Sequence, residues 1–453
     1  MSPPRAITGP SVAKRAYGMR FSSSLKMHAQ PSADAFGCAA HCVTKAIALP
    51  GGYSFAWFVE PPHPTAHMIS ATALIRLTMV DGILPRVEPP RRADVVVVGG
   101  GAIGAAAAFH LRRLGVEDVV LLERDTLSSG STSKAAGGIR AQFADELNIK
   151  IALRSLDEFE AFHELTGADI SFRQHGYLFL LDTDADVATF RDALALQASL
   201  GVPSRELTPA EAQELVPQLE LDGILAATYC ARDGYATPEA VVQGYAAAAG
   251  ATVLQSCALT GVEVQDGRIV AVETARGRIA TDTVVCCAGI WSRDVGALAG
   301  FELPVEGLAR SMWFTPEDGG LPRELPLTVD FSTSFYFHRE GAGIAFGGRE
   351  RELEDVAEAA ARRVPVLAEL PIQASWWGWY DVSPDWNALV GEAAEPSRFL
   401  YATGFSGHGF QQAPAVGEHL AELVVGREPT LDLSAFAADR FGQGALRPET
   451  FVI

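Results

Sequence analysis

Four consecutive valines, Val95 to Val98, run into GGGAIGAAAAFHLRRLG and then into VVLLE. That order predicts a strand buried on both faces, a tight glycine turn, a small-residue helix and a second strand stopping at Glu123. From Ala144 apolar residues recur at helical spacing, and Thr208-Pro209-Ala210-Glu211 is a capping box with proline in the first helical position. Thr237-Pro238 opens a further helix that Gly250 closes. Period-2 alternation follows, with Asp266-Gly267 as a hairpin turn and Gly277 as another, and an apolar strand ends at Gly289. Residues 301–379 are again strand-rich, with 335–338 and 343–346 as antiparallel partners across 340–342. The segment YATGFSGHGFQQAPAVG reads as strand, glycine loop and helix, so the C-terminal part is expected to return to the first domain.

Gly99, Gly101 and Gly104 form a G-x-G-x-x-G directly after a strand and at the start of a helix, the context in which the pattern carries meaning. Glycines there permit the tight turn, the approach of backbone to a pyrophosphate and close helix–strand packing. The helix start offers free N–H groups and the positive end of its dipole to phosphates. Glu123 lies at about the 20-residue spacing at which a carboxylate accepts from a ribose hydroxyl. The segment is therefore expected to bind an adenine dinucleotide, without distinguishing FAD from NAD.

Composition narrows the class. The chain has 453 residues, 48% of them hydrophobic, which suffices for two or three domains. Its net charge of −19 and pI near 5.0 argue against nucleic acid and anionic membranes as partners. No uninterrupted apolar run reaches the roughly 18 residues of a membrane span, so a soluble protein is expected. Residues 1–80 differ, with seven Lys or Arg against Asp34 and Glu60. Residues 1–91 are read as an N-terminal extension: a transit peptide, a disordered segment, or sequence upstream of a true start at Met68 or Met79, the last two being favoured. Cys38, His41 and Cys42 are too few to define a metal site, and no metal is expected. Cys230, Cys257, Cys286 and Cys287 show no disulfide framework, which suggests a reducing cytoplasm.

The dinucleotide motif, the loop GSTSKAAGGIRAQF, the strand DTVVCCAGIWS, and the late segments SPDWNALVG and GFSGHGFQQAPAVG together resemble the D-amino-acid oxidase superfamily of flavoproteins, nearest to the sarcosine oxidase β-subunit and glycine oxidase group. The GFSGHG segment is also similar to an FAD-dependent complex I assembly factor. The resemblance covers residues 92–453. It implies an α/β fold: a Rossmann-type FAD-binding domain from 92–175, 235–300 and 384–446, and an interleaved α+β substrate domain with an antiparallel sheet from 176–234 and 301–383. It further implies FAD, held by Gly99, Gly101 and Gly104 at the pyrophosphate, by Glu123 and the adjoining Arg124 at the adenosine, and by Ser131, Thr132 and Gly138 in the following loop. Leu259 matches the adenine-side strand and Gly289 a second backbone approach. Gly404, Gly407, His408 and Gly409 would sit at the pyrimidine end of the flavin.

The implied chemistry is oxidation of the C–N bond of a small amino acid or N-alkyl amino acid, such as sarcosine, glycine or proline. Hydride passes to the flavin and the imine hydrolyses. Such catalysis requires mainly orientation and a carboxylate clamp. Arg140 and Arg339 are the two candidate clamps, flanked by Tyr336 and His338, with His408 as a further catalytic candidate; each arginine has a planar fork suited to a carboxylate. Trp376, Trp377, Trp379, Tyr380 and Phe405 are candidates for an apolar wall. No lysine follows Lys150, so the lysines of sarcosine oxidases are missing, Gln411 standing at one of them. The electron acceptor is accordingly dioxygen or a quinone or carrier, and partner subunits are possible. Gly378 and Pro238 replace the flavin-linking cysteine and histidine of relatives, which implies non-covalent FAD. Two alternatives stay open: an FAD-dependent 2-hydroxy-acid dehydrogenase, and a non-catalytic FAD-binding assembly or partner protein.

Overall fold

The computed structural model describes residues 87–350 and 352–451. Most of the expected N-terminal extension, with Cys38, His41, Cys42, Met68 and Met79, lies outside the described residues. In chain order the strands are β1 (Val95–Val98), β2 (Val119–Leu122), β3 (Gly138–Ile139), β4 (Tyr177–Leu181), β5 (Arg205–Leu207), β6 (Ala226–Cys230), β7 (Gly234–Tyr235), β8 (Thr252–Leu254), β9 (Leu259–Gln265) and β10 (Arg268–Thr274). They continue with β11 (Gly277–Ala280), β12 (Val284–Cys286), β13 (Glu306–Thr315), β14 (Leu327–Asp330), β15 (Phe335–Glu340), β16 (Gly343–Gly347), β17 (Ala374–Val382), β18 (Leu389–Glu392) and β19 (Phe399–Thr403).

Six strands form the first sheet, in the order β18-β19-β12-β1-β2-β8, parallel except for the β18 edge. Both faces are covered, which is why β1 is an unbroken valine run. Val95 and Val97 pack toward the Ala102–Arg113, Pro238–Ala249 and Gly409–Val425 helices, while Val96 and Val98 pack toward Ile269, Val272 and Ile279 of the β9–β11 meander. The glycine turn is sterically forced. Gly99 has φ +111°, and a Cβ on it would lie 2.3 Å from the Cys287 carbonyl oxygen; one on Gly104 would lie 1.9 Å from the Gly99 carbonyl oxygen.

The second sheet has eight strands in the order β17-β13-β16-β15-β14-β4-β6-β5. Its expected antiparallel character holds for most pairs, but β4 and β14 run parallel. These two strands come from segments separated by the nucleotide-binding strands, so no hairpin imposes their direction. One face, including Leu178, Phe335 and Phe337, packs under the Leu353–Arg363 helix. The other carries Tyr177, Phe179, Met312 and Tyr336 against Ala136 and Ala144 of the segment that follows the glycine turn.

Local signals emerge largely as read. The Thr208–Glu211 capping box closes with Pro209 in the first turn, and Gly250 ends its helix in the left-handed region. Asp266 and Gly267 turn β9 into β10 with φ of 49° and 71°. The helix expected from Ala144 starts at Glu146, because the Asp145 carboxylate accepts from Leu147 N and Asn148 N and caps it.

A buried polar network ties the helices together. Glu158 accepts from Tyr245 Oη at 2.8 Å and from Arg154 Nη2 at 3.1 Å, and lies 2.9 Å from His110 Nε2. Burial alone would raise its pKa, but the His110, Tyr245 and Arg154 interactions win and hold it at about 2. A carboxylate depressed from its ordinary 4.5 stabilises the fold above that pH and loses the contribution as pH falls toward 2. Unfolding of Glu158→Gln, followed by urea titration between pH 2 and 5, is expected to lose about 3 kcal/mol of this acid dependence.

Candidate active site

The carboxyl ends of β1, β2, β12 and β19 open on one side of the six-stranded sheet, where an open α/β sheet binds its ligand. Glu123 follows β2, its Oε2 accepting from Gly100 N and its Oε1 from Asp125 N, both at 2.8 Å. This fixes the carboxylate beside the glycine turn. Arg124 turns its guanidinium over the Trp291 ring, 3.7 Å from the centroid. Thr132 Oγ1 accepts from Ala102 N at 3.2 Å, and Ser131 directly precedes the short helix Thr132–Lys134. Among the described residues Ser128 Oγ and Ser133 Oγ of the same loop are buried without a partner, which suits a loop built against a polar ligand. Gly289 follows β12 with φ +55°, and nothing lies within 4 Å of where its Cβ would be, leaving room for a flat group over the backbone. These features fit a dinucleotide extending from Glu123 across β1 toward β12 and β19.

Two further expected cofactor positions lie in strands. Gly138 in β3 pairs with Tyr235, and a Cβ there would meet Leu327 and the Tyr177 ring at 3.1 and 3.3 Å. Leu259 pairs with Thr274, while it is Cys257 N that donates to the Glu123 carbonyl at 2.9 Å.

The loop after β19 is gripped by two neighbours on β17. Tyr380 packs its ring where a Gly407 Cβ would sit, 2.5 Å away, and the Asp381 Oδ2 accepts from Gly404 N at 2.8 Å. Gly409 starts the long final helix and His408 precedes it. Burial pushes the Asp381 carboxyl up to about 6. Gly378, also on β17, lies over the Lys134 stem, and Trp376 Nε1 donates to the Lys134 carbonyl at 3.3 Å.

The expected clamps are placed differently from one another. Arg140 is fully enclosed: its Nη1 donates to the Gln142 carbonyl, and its Nη2 donates to the Phe451 carbonyl at 2.5 Å and lies 3.2 Å from His408 Nε2. Its guanidinium stacks 4.1 Å over Phe143. Burial lowers its pKa from the ordinary value. These contacts engage both terminal nitrogens of the fork within the protein. His408 is pulled down to about 3 by burial and by Arg140, so it is neutral.

Arg339 departs further from expectation. Along β15, Tyr336 and His338 share one face of the sheet, and Phe335, Phe337 and Arg339 alternate to the other. Its Nη2 donates to Asp318 Oδ2 at 3.0 Å and to the Leu321 and Pro322 carbonyls at 2.8 and 3.0 Å, which fastens an outer loop. His338 packs against the Tyr235 ring, 4.8 Å between centroids, and burial holds it near 4.

One arginine that sequence reasoning passed over occupies the inner face. Arg310 of β13 shares that face with Met312 and lies 5.4 Å from the Tyr380 ring centroid. Among the described residues its Nε is buried without a partner, and its one side-chain hydrogen bond, Nη1 to the Ala309 carbonyl, is long at 3.4 Å. Burial lowers its pKa, with the Arg349 charge acting in the same direction. Tyr336 and Tyr380 act on it electrostatically, and Tyr177 lies on the same face; burial pushes all three hydroxyls up and so keeps them protonated. The signal in the sequence was LARSMWFT, an arginine in register with the core-facing methionine of an alternating strand. A separate cleft of about 710 Å³ lies at the opposite end of β1, lined by Arg92, Asp94, Glu117 and Asp282, away from this chemistry.

A crevice at the carboxyl ends of a parallel sheet, entered by a glycine turn and closed by Glu123, defines a dinucleotide-binding protein. Residues 94–423 match the DAO family of FAD dependent oxidoreductases; the chain belongs to this family, and its cofactor is FAD. It is 30% identical over 383 residues to sarcosine dehydrogenase, mitochondrial, of Mus musculus, covering 78% of this chain but only 42% of that protein. It is 31% identical over 436 residues to FAD-dependent oxidoreductase domain-containing protein 1 of Bos taurus, covering 81% and 88% of the two chains. The crystal structure of L-proline dehydrogenase from P. horikoshii shares the fold with a TM-score of 0.75 and 33% identity, over 79% of this chain and 100% of that one. The chain thus spans less than half the length of sarcosine dehydrogenase.

Proposed function

We propose that this protein oxidises the C–N bond of a small amino acid or N-alkyl amino acid, such as sarcosine, glycine or proline, with Arg310 holding the substrate carboxylate. The carrying observation is the buried, unpartnered Arg310 Nε on the aromatic inner face. A buried guanidinium Nε left without an acceptor is costly, and a carboxylate that accepts from it satisfies it. FAD, when bound across the crevice, supplies the two-electron acceptor. The chain's own contribution is to orient the α-carbon and exclude water. Tyr177, Tyr336 and Tyr380 wall the site with protonated phenols, and neutral His408 adds no charge that would repel an amine. No strong general base is required, since the amine reacts in its neutral form and the imine hydrolyses afterwards.

Sarcosine dehydrogenase and L-proline dehydrogenase are named for amine substrates, which favours amines over 2-hydroxy acids and over a purely non-catalytic role. Anaerobic mixing with a panel of amino acids is expected to bleach the flavin absorbance. Bleaching by 2-hydroxy acids alone, or by nothing in the panel, overturns the reading. Readmitting air separates dioxygen from a quinone or carrier as acceptor, through fast or slow reoxidation. Among the described residues the cysteines are buried free thiols, and Gly378 offers no anchoring atom, so FAD is expected to leave with the supernatant on acid precipitation. Buried free thiols also support a reducing compartment such as the cytoplasm.

A further inference from the structure

Asp381 is not needed to hold an amino acid, yet it is built into the crevice with unusual care. Its Oδ2 accepts from Gly404 N at 2.8 Å and lies 3.4 Å from Thr403 Oγ1, which itself donates to the Gly289 carbonyl at 2.9 Å. Its main-chain carbonyl accepts from Ser406 N at 2.8 Å. One side chain from the second sheet therefore holds the backbone that leaves β19, beside the Thr403 hydroxyl that bonds the backbone following β12, at the end of the crevice away from Glu123. No salt bridge to Asp381 occurs among the described residues, whereas Asp330 and Asp385 are each paired with an arginine. Although deep within the protein, Asp381 remains only half-buried, as a group facing an internal crevice does. The Gly404 N–H is spent on this carboxylate, so it is not free to stabilise negative charge on the cofactor.

We propose that Asp381 is a positioning residue that places an uncompensated negative charge at the redox end of the FAD site and thereby holds the reduction potential of the bound flavin down. A fixed anion beside a group that gains electrons disfavours the reduced form. Keeping the flavin a weak oxidant restricts it to substrates that are easily oxidised or to acceptors that draw the electrons away.

The test is the midpoint potential of the FAD-loaded protein at pH 8, by dithionite titration against a reference dye, in wild type, Asp381→Asn and Thr403→Val. Asp381→Asn keeps an oxygen for Gly404 N and removes the charge. It is expected to favour reduced over oxidised FAD by at least tenfold, a rise of about 30 mV for a two-electron couple. Thr403→Val cuts the link to Gly289 without changing charge and is expected to leave the potential in place while FAD dissociates faster, read by flavin fluorescence. Equal potentials in wild type and Asp381→Asn overturn the proposal, as does an equal rise in Thr403→Val. Should Asp381→Asn fail to hold FAD, Asp381→Glu, which retains the charge, is expected to restore the wild-type potential; a raised potential in that variant also overturns it. No amino acid enters the titration, so its outcome is independent of the substrate reading.

Discussion

Arg310→Met is expected to lower kcat/KM for the amino acid that bleaches the flavin by roughly 30- to 5,000-fold, the equivalent of about 2–5 kcal/mol for removing one partner of a desolvated, hydrogen-bonded charge pair. Most of the loss should fall on KM, because the carboxylate is held before and during the reaction alike. Stability should hold or improve: the native guanidinium has a buried Nε without a partner, and methionine fills similar space without that penalty. Arg310→Lys should recover little, since a single ammonium cannot reproduce the fork. Steady-state kinetics together with urea denaturation of the same variants measures both quantities. A variant that binds substrate normally would remove Arg310 from the site.

The matching change at Arg140 is expected to give the opposite pattern. Its guanidinium supplies the Gln142 and Phe451 carbonyls and lies against His408 Nε2, all within the protein. In Arg140→Met those acceptors stay buried without donors, at about 1–3 kcal/mol each. The protein should lose roughly 2–5 kcal/mol of stability. Phe451 should also loosen from its stack on Phe190, at 4.2 Å, which limited proteolysis of the 447–451 segment would register. KM should change far less than in Arg310→Met. If Arg140→Met folds normally and loses substrate affinity instead, the two arginines exchange roles.

This pair shows where sequence reasoning reached its limit. Arg140 lies in a loop whose residue pattern matched a family clamp, and Arg339 in a strand with a conspicuous aromatic flank. Neither pattern contains the Phe451 carbonyl, 311 residues from Arg140, or the Pro322 carbonyl that claims Arg339. The nucleotide crevice was far more legible. Val95–Val98, Gly99, Gly104 and Glu123 act within one βαβ unit, where local sterics and hydrogen bonds decide the geometry. Gly138 and Leu259 lie beyond that unit, in strands whose partners, Tyr235 and Thr274, no local pattern names.

Short-range physics is therefore written in the chain itself. A glycine turn whose Cβ atoms would collide with carbonyl oxygens, a capped helix and an Asp-Gly hairpin admit few alternatives, so the FAD fold and its phosphate end follow from residues close in sequence. Alternation along β13 and β15 likewise says that Arg310 and Arg339 each share a face with their second neighbours. Which face looks into the crevice depends on strand order and on what packs above and below the eight-stranded sheet. Those are sums of many distant apolar contacts, and only the assembled sheet turned Arg310 toward the site and Arg339 away from it.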